Sequence, residues 1–237
     1  MIEGDNTGNA EMIKAAIERQ NIEVLQSGSV FSQNERNVTL ADALESLGLR
    51  DVENRQEDRK TLPPHEFYQR AKREVVITGL SAHSTFTQHS ERIEDLLSQN
   101  KKVFVLIMHP DASDELSEIH ELEKHPVEAD IRTVIRIIAA RGLDHHRNFH
   151  IRFLRRRQPF TAVMIDGDIE YSGSGISEDA GGEIRVQPSL LNGTQHQGMV
   201  FRFVKVRDGG FDYFASDLRA QWRKAERYSD LGMASDY

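Results

Sequence analysis

The chain contains no cysteine. This absence excludes disulfides, thiolate nucleophiles and zinc or iron–sulfur sites with cysteine ligands, so a metal would need histidine or carboxylate ligands. Long apolar runs are missing as well, since none approaches the roughly 20 residues that cross a bilayer. The acidic first residues lack the basic and apolar regions of a signal peptide. We therefore expect a cytoplasmic protein with no membrane partner.

The 237 residues are 38% hydrophobic and carry a formal charge of −8. This composition predicts a globular domain of ordinary core size and argues against a general nucleic-acid coat. The charge is unevenly spread, because residues 141–157 hold six arginines against one aspartate, whereas residues 111–130 hold eight acids against one lysine. The arginine-rich stretch indicates either a local site for an anion or a solvated strand edge.

A polar stretch divides the sequence. Residues 50–60 lack an apolar face and precede Pro63-Pro64, which predicts a linker with a domain boundary near residue 60. We expect residues 1–60 to form a small N-terminal helical appendage with its linker, and residues 61–230 to form an α/β domain with a mixed β-sheet flanked by helices. The strand predictions are 74–79, 102–108, 149–154, 160–165, 183–186 and 199–206, and the helix predictions include 90–99, 127–142 and 211–227.

Hydroxyl and histidine side chains follow the first two predicted strands. In an open α/β sheet, ligands bind beyond the carboxyl ends of parallel strands, which makes Ser81, His83 and His109 candidates. A helix start after Ser81 would favour an anion; the alternative is that these residues only cap a helix or lie in solvent. Arg155 and Arg157 are two residues apart, so a strand would place both on one face, where their guanidinium groups suit phosphate oxygens.

A metal site is not predicted, and neither is a cofactor. The densest histidine cluster is His145, His146 and His150. Adjacent histidines point apart unless the backbone bends, the zinc-protease pattern HExxH is absent, and the neighbouring arginines repel a cation.

An acid and a Gly-Ser pair follow the strand predicted over 160–165. Asp166 ends the strand, and six residues separate it from Gly173-Ser174. This spacing resembles the phospholipase D superfamily, whose motif is His-x-Lys, four residues, Asp, six residues, Gly-Ser and an Asn two residues further on. The order of strands and helices over residues 63–225 is similar to that family too, which implies its α-β-α sandwich.

The chain departs from the motif at the reacting positions. The nucleophilic histidine falls on Pro159, the phosphate-binding lysine on Thr161 and the asparagine on Ile176. Proline cannot form the covalent phospho-histidine that the family's reaction requires. The resemblance therefore implies a pseudoenzyme: a non-catalytic regulatory or sensor domain that binds a phosphorylated small molecule or nucleotide. The predicted ligand-binding residues are Ser81, His83, His109, Arg155, Arg157, Asp166 and Ser174.

Several alternatives stay open. Asp166 could cap its Asp-Gly turn rather than contact a ligand. An active phosphodiesterase or nuclease could use His83, His109 or His196 as its nucleophile, and a protein–protein interaction module could dock a partner through the residues before 60. One motif per chain implies, by the same resemblance, that two chains meet as a homodimer. A nucleic-acid ligand is not favoured, because the net charge is negative.

Overall fold

The computed structural model describes residues 40–54, 60, 62–112, 115–119, 126–171, 182–188 and 198–231. The chain divides into two compact units, 1–39 and 40–237, and all the described residues belong to the second. Residues 49–54 form a strand that pairs with the strand over 199–204. The linker prediction is therefore wrong for residues 50–54, because main-chain hydrogen bonds hold them in the sheet.

The helices alternate with strands along most of the described chain. The helices are α1 (Leu40–Ser46), α2 (Pro64–Gln69), α3 (His83–Ser98), α4 (Val127–Ala140) and α5 (Gly210–Lys224). The strands are β1 (Leu49–Asn54), β2 (Glu74–Thr78), β3 (Lys102–Met108), β4 (Phe149–Leu154), β5 (Phe160–Ile165), β6 (Glu183–Pro188), β7 (Met199–Val204) and β8 (Glu226–Arg227).

One sheet contains all eight of these strands, in the order β1-β7-β6-β5-β2-β3-β4-β8. The central strands β2, β3 and β4 are parallel, and the other pairings are antiparallel. The prediction of an α/β fold with a mixed sheet and flanking helices is confirmed.

Helices cover the sheet on two faces. Val75 and Ile77 of β2 point to the first face, where they pack with α2, α3 and α4, while Val76 between them points to the second face and packs with α5. Side chains alternate between faces along a strand, so a central strand with a helix layer on each side is apolar throughout. This explains why the sequences of β2 and β3 contain few polar residues.

The start of the described chain is joined to the sheet by a tight turn. Gly48 has φ +76, and a side chain there would collide with the carbonyl oxygen of Val204. A glycine at this position lets α1 lead directly into β1 beside β7. None of the helices in the described residues has the length and hydrophobicity that a membrane span requires.

Candidate functional site

Three parallel strands end at the same edge of the sheet, which we name the carboxyl edge. The amide of Met108 donates to the carbonyl of Leu80 (3.0 Å), and the amide of His109 donates to the carbonyl of Leu154 (2.8 Å). The loops after β2, β3 and β4 are therefore neighbours. The structure brings five predicted site residues to this edge: Ser81, His83, His109, Arg155 and Arg157.

The loop after β2 is shorter than the sequence indicates, because α3 begins at His83 rather than near Ser90. Ala82 precedes the helix with φ 53, a left-handed conformation that costs an alanine about 1 to 2 kcal/mol. The Ser81 hydroxyl oxygen accepts a hydrogen bond from the His83 amide (3.3 Å). This geometry places Ser81 against the first turn of α3, whose helical conformation is interrupted at His89 (φ −135, ψ 20), so the piece that begins at His83 is short.

His83 faces an acid on the next helix. Its Nε2 lies 3.7 Å from Oδ1 of Asp130, and the His83 side chain is 38% exposed. The imidazole is thus accessible and has a carboxylate neighbour, the arrangement that orients a histidine in many proton-transfer sites.

His109 is buried at the end of β3. Its Nδ1 accepts a hydrogen bond from the Asp111 amide (3.0 Å), which assigns the ring proton to Nε2. Nε2 lies 3.4 Å from Oε2 of Glu226. Burial lowers the pKa of His109, the charge of Arg155 lowers it further, and Glu226 opposes both. The ring therefore accepts a hydrogen bond within the loop after β3 through one nitrogen and faces β8 through the other.

The predicted arginine strand is a loop. β4 ends at Leu154, so Arg155 and Arg157 follow the strand and are not on one of its faces. Arg155 binds both carboxylate oxygens of Glu226, through Nε (2.6 Å) and a terminal nitrogen (3.2 Å). The bond to Glu226 raises the pKa of Arg155. The amide of Arg157 donates to Oε2 of Glu115 (3.2 Å). Acids of the same chain thus lie beside these arginines.

Asp166 lies at the opposite edge of the sheet, away from the other site residues. β5 is antiparallel to β2, so its last residue lies beside the first residue of β2. The buried carboxylate accepts hydrogen bonds from the amides of Lys72 (2.9 Å), Arg73 (2.7 Å) and Glu74 (3.2 Å). Asp166 caps the start of β2, not its own turn, and the structure does not bring it together with the carboxyl-edge residues.

Several motif positions fall outside the described residues, namely Gly173, Ser174, Ile176 and the alternative nucleophile His196. Pro159 and Thr161 are described and lie at the carboxyl edge, where β5 begins beside the end of β2. A Cβ added to Gly79 would lie 3.6 Å from the Thr161 methyl group. The positions that carry histidine and lysine in the motif are thus at the candidate site, without either side chain.

Polar residues on β6 form a part of this region that the sequence analysis did not single out. Arg185 and Gln187 alternate with apolar residues and are only 6% and 7% exposed. The Arg185 guanidinium lies 5.3 Å from the Phe67 ring centre. Alternation of polar and apolar residues was visible in the sequence, but it usually indicates a solvent-facing side. Here the polar side faces α2.

A pair of buried hydroxyls adjoins Arg185. The Tyr68 hydroxyl lies 3.3 Å from Oγ1 of Thr85, which is in the first turn of α3. Burial raises the pKa of Tyr68, while the Thr85 bond and the charge of Arg185 oppose the rise. Three elements, α2, α3 and β6, therefore contribute polar groups to one buried cluster.

The three clustered histidines have separate surroundings. His145 is 87% exposed, the Nδ1 of His146 accepts the Asn148 amide (3.2 Å), and His150 stacks on Phe104 at 5.0 Å between ring centres. Within the described ranges, no group of three or more histidine or acidic side chains could hold a metal ion.

No family model matches the chain, and no curated protein matches it. Among solved structures, it is similar to TrmBL2, an archaeal chromatin protein reported to show a novel mode of DNA binding, with 13% identity and a TM-score of 0.44 over 93% of this chain and 66% of that one. It is also similar to the phosphatidylserine synthase of Haemophilus influenzae Rd KW20, with 11% identity and a TM-score of 0.47 over 73% of this chain and 38% of that one. This chain therefore spans just under two thirds of the length of the first protein and well under half of the second.

Proposed function

We propose that the chain is a non-catalytic, phospholipase D-like regulatory or sensor domain that binds a phosphorylated small molecule or nucleotide at the carboxyl edge. The supporting observation is that Ser81, His83 and the start of α3 lie at the same edge of the sheet as the loop that carries Arg155 and Arg157, with the end of β3 hydrogen-bonded to the chain after β2 and to the end of β4. Hydroxyls, free helix amides and guanidinium groups are the donors that bind phosphate oxygens. The acidic balance of the rest of the chain makes this local concentration of donors distinctive.

The non-catalytic part of the proposal depends on the residues available as nucleophiles. Proline and threonine occupy the motif positions for histidine and lysine at this edge, as Pro159 and Thr161. His109 uses one nitrogen as an acceptor and directs the other toward Glu226, so neither is open to attack a phosphorus atom. We therefore expect binding without turnover.

A second candidate, an active phosphodiesterase, is favoured by one contact. His83 is accessible and has Asp130 3.7 Å from Nε2, so it has the surroundings of an oriented base or nucleophile. The non-catalytic proposal predicts the opposite, namely that the purified protein does not hydrolyse bis-p-nitrophenyl phosphate, phosphatidylcholine or DNA above a buffer blank. Turnover that His83→Ala abolishes would replace the sensor proposal with this one.

The contact between Glu226 and Arg155 gives a direct test of phosphate binding at this site. The Glu226 carboxylate accepts hydrogen bonds from the Arg155 guanidinium. A phosphate must therefore compete with Glu226 for the N–H groups of Arg155. Replacement of Glu226 by glutamine removes the competing charge and should strengthen binding of inorganic phosphate and AMP. Replacement of both Arg155 and Arg157 by alanine should abolish it.

The test is thermal unfolding with and without phosphate or AMP. A ligand at a hundredfold excess over its Kd stabilises the folded state by about 2.7 kcal/mol, which raises Tm by about 5 to 10 °C in a unit of this size. Arg147→Ala is the matched control, because Arg147 is exposed and precedes β4 at the opposite edge. Equal stabilisation of the wild type and the Arg155→Ala/Arg157→Ala variant would contradict the proposed site.

A further inference from the structure

The last part of the described chain returns to the carboxyl edge. After α5, residues Glu226–Arg227 form β8, which pairs with the end of β4, and a 3-10 helix over Tyr228–Leu231 follows it. We name residues 226–231 the C-terminal strap. The strap therefore lies beside the loop that carries the arginines of the proposed phosphate site.

The strap places one carboxylate against donors from two loops. Oε1 of Glu226 accepts a hydrogen bond from Nε of Arg155 (2.6 Å), and Oε2 accepts one from a terminal nitrogen of the same guanidinium (3.2 Å). Oε2 also lies 3.4 Å from Nε2 of His109, the nitrogen that carries the ring proton. A guanidinium fork beside another N–H group is an arrangement that receives phosphate oxygens as well as carboxylate oxygens. Glu226 thus lies where the proposed function requires the phosphate of a ligand.

The contacts that attach the strap to the sheet are few. β8 has two residues and, at the end of the described sheet, pairs with β4 on one side. The Arg155 side chain is 57% exposed and that of Glu226 is 36% exposed, so water reaches this ion pair and weakens it. The Tyr228 ring lies 6.4 Å from the Phe153 ring and packs against the core of the first face. A short, solvent-accessible element of this kind opens more readily than the central strands.

A phosphate and the strap compete for the same donors. Phosphate bound to Arg155 would lie beside the Glu226 carboxylate, and two negative groups at that distance repel each other unless Glu226 moves away. Because Glu226 is part of β8, its departure loosens the strap. Coupling between two binding events is reciprocal, so phosphate weakens the attachment of the strap, and a weaker strap strengthens phosphate binding.

We propose that the C-terminal strap is an autoinhibitory element of the phosphate site, and that ligand binding displaces it from β4. The inference rests on the proposed function and deepens it, because it names the movement by which this domain reports a bound ligand. The apparent Kd for phosphate is then the intrinsic Kd divided by the fraction of molecules whose strap is open. Displacement uncovers the edge of β4 at Arg152 and Phe153 and the part of the core that Tyr228 covers.

The first experiment is titration calorimetry of the full chain with inorganic phosphate and with AMP. Glu226→Gln removes the competing charge and should lower the Kd about fivefold. Tyr228→Ala weakens the strap through its packing on Phe153 and should lower the Kd about threefold. The matched controls are Glu170→Gln, an exposed acid that pairs with Lys102 at the opposite edge, and Tyr213→Ala, a tyrosine that is 73% exposed. Both controls should leave the Kd unchanged.

The second experiment is hydrogen exchange of the wild type, measured by mass spectrometry with and without saturating phosphate. Amides exchange when a segment opens, so phosphate should speed the exchange of the strap amides by about threefold or more. A ligand that binds without displacing the strap would slow this exchange or leave it unchanged.

The outcomes separate the strap from the proposed function. If the wild type and both strap variants bind neither probe, the proposed function is overturned and the inference with it. Wild-type binding that is equally strong in folded Glu226→Gln and Tyr228→Ala, as checked by circular dichroism, overturns the strap alone. A lower Kd in Glu226→Gln with an unchanged Kd in Tyr228→Ala also overturns it, because the Glu226 side chain then turns away without the strap. If either variant does not fold, the exchange experiment decides.

Discussion

Replacement of Asp166 by asparagine tests the role that the structure gives to this residue. The carboxylate accepts hydrogen bonds from three consecutive amides, with Oδ1 at 2.7 Å from the Arg73 nitrogen and 3.2 Å from that of Glu74, and Oδ2 at 2.9 Å from that of Lys72. Asparagine keeps one acceptor oxygen, loses the negative charge and turns an amide group toward at least one donor. The end of β5 and the start of β2 would then be joined by weaker and fewer hydrogen bonds, although the Asp166 amide still donates to the Glu74 carbonyl (3.0 Å).

The size of the effect follows from the three bonds. A hydrogen bond to a charged group contributes about 1.5 to 3 kcal/mol, against about 1 kcal/mol for a neutral pair. The loss over three donors is therefore about 3 kcal/mol. In a unit of this size each kcal/mol lowers Tm by about 2 to 4 °C, so we expect a decrease of about 6 to 12 °C.

The assay is urea unfolding followed by circular dichroism, with Asp95→Asn as the control. Asp95 is exposed and pairs with Arg92 within α3, so its replacement should change the free energy of unfolding by under about 0.5 kcal/mol. A similarly small change for Asp166→Asn would refute the structural role. Loss of phosphate or AMP binding at unchanged stability would instead show that Asp166 belongs to the ligand site.

Two further predictions concern pH and assembly. Burial raises the pKa of Glu74 from 4.5 in the unfolded chain to about 7 in the folded protein. Between these pH values the folded protein keeps the proton that the unfolded chain has lost. The free energy of unfolding should therefore decrease by about 3 kcal/mol as the pH rises from 4.5 to 7. Glu74→Gln should remove that loss in urea unfolding at both pH values, and an equal loss in variant and wild type would contradict it. The homodimer that the family resemblance implies predicts a mass of twice 27.0 kDa in light scattering, and a monomer at both low and high salt would end that hypothesis.

The sequence predicted the central strands well and the edges poorly, for physical reasons. Lys102–Met108 is buried on both faces, so its composition alone marks a strand with the observed bounds. The edge strand β1 is mostly polar and pairs on one side with β7, so its composition indicates a linker rather than a strand. The first turns of α3 carry histidine, serine and threonine with Phe86 as their large apolar residue, which hid the helix start at His83.

The roles of the site residues depended on contacts far along the chain. Asp166 binds amides more than ninety residues earlier, and Arg155 binds Glu226 about seventy residues later. Local spacing predicts which residues share a strand or a loop, but it does not predict which group from a distant part of the chain will contact them. The candidate positions at the carboxyl edge were therefore predictable, whereas their partners were not.

The arginine-rich stretch shows why charge along a sequence differs from charge in space. Arg152 lies over the Trp222 ring at 4.4 Å and donates to the Trp222 carbonyl (2.7 Å), Arg141 binds Glu94 and Arg155 binds Glu226. A strand sends successive side chains to opposite faces, and loops turn others outward, so neighbouring cations acquire separate partners. Arg185 and Arg202 lie seventeen residues apart, yet antiparallel pairing sets them side by side. In this fold the strand register, rather than closeness along the sequence, brings these two cations together.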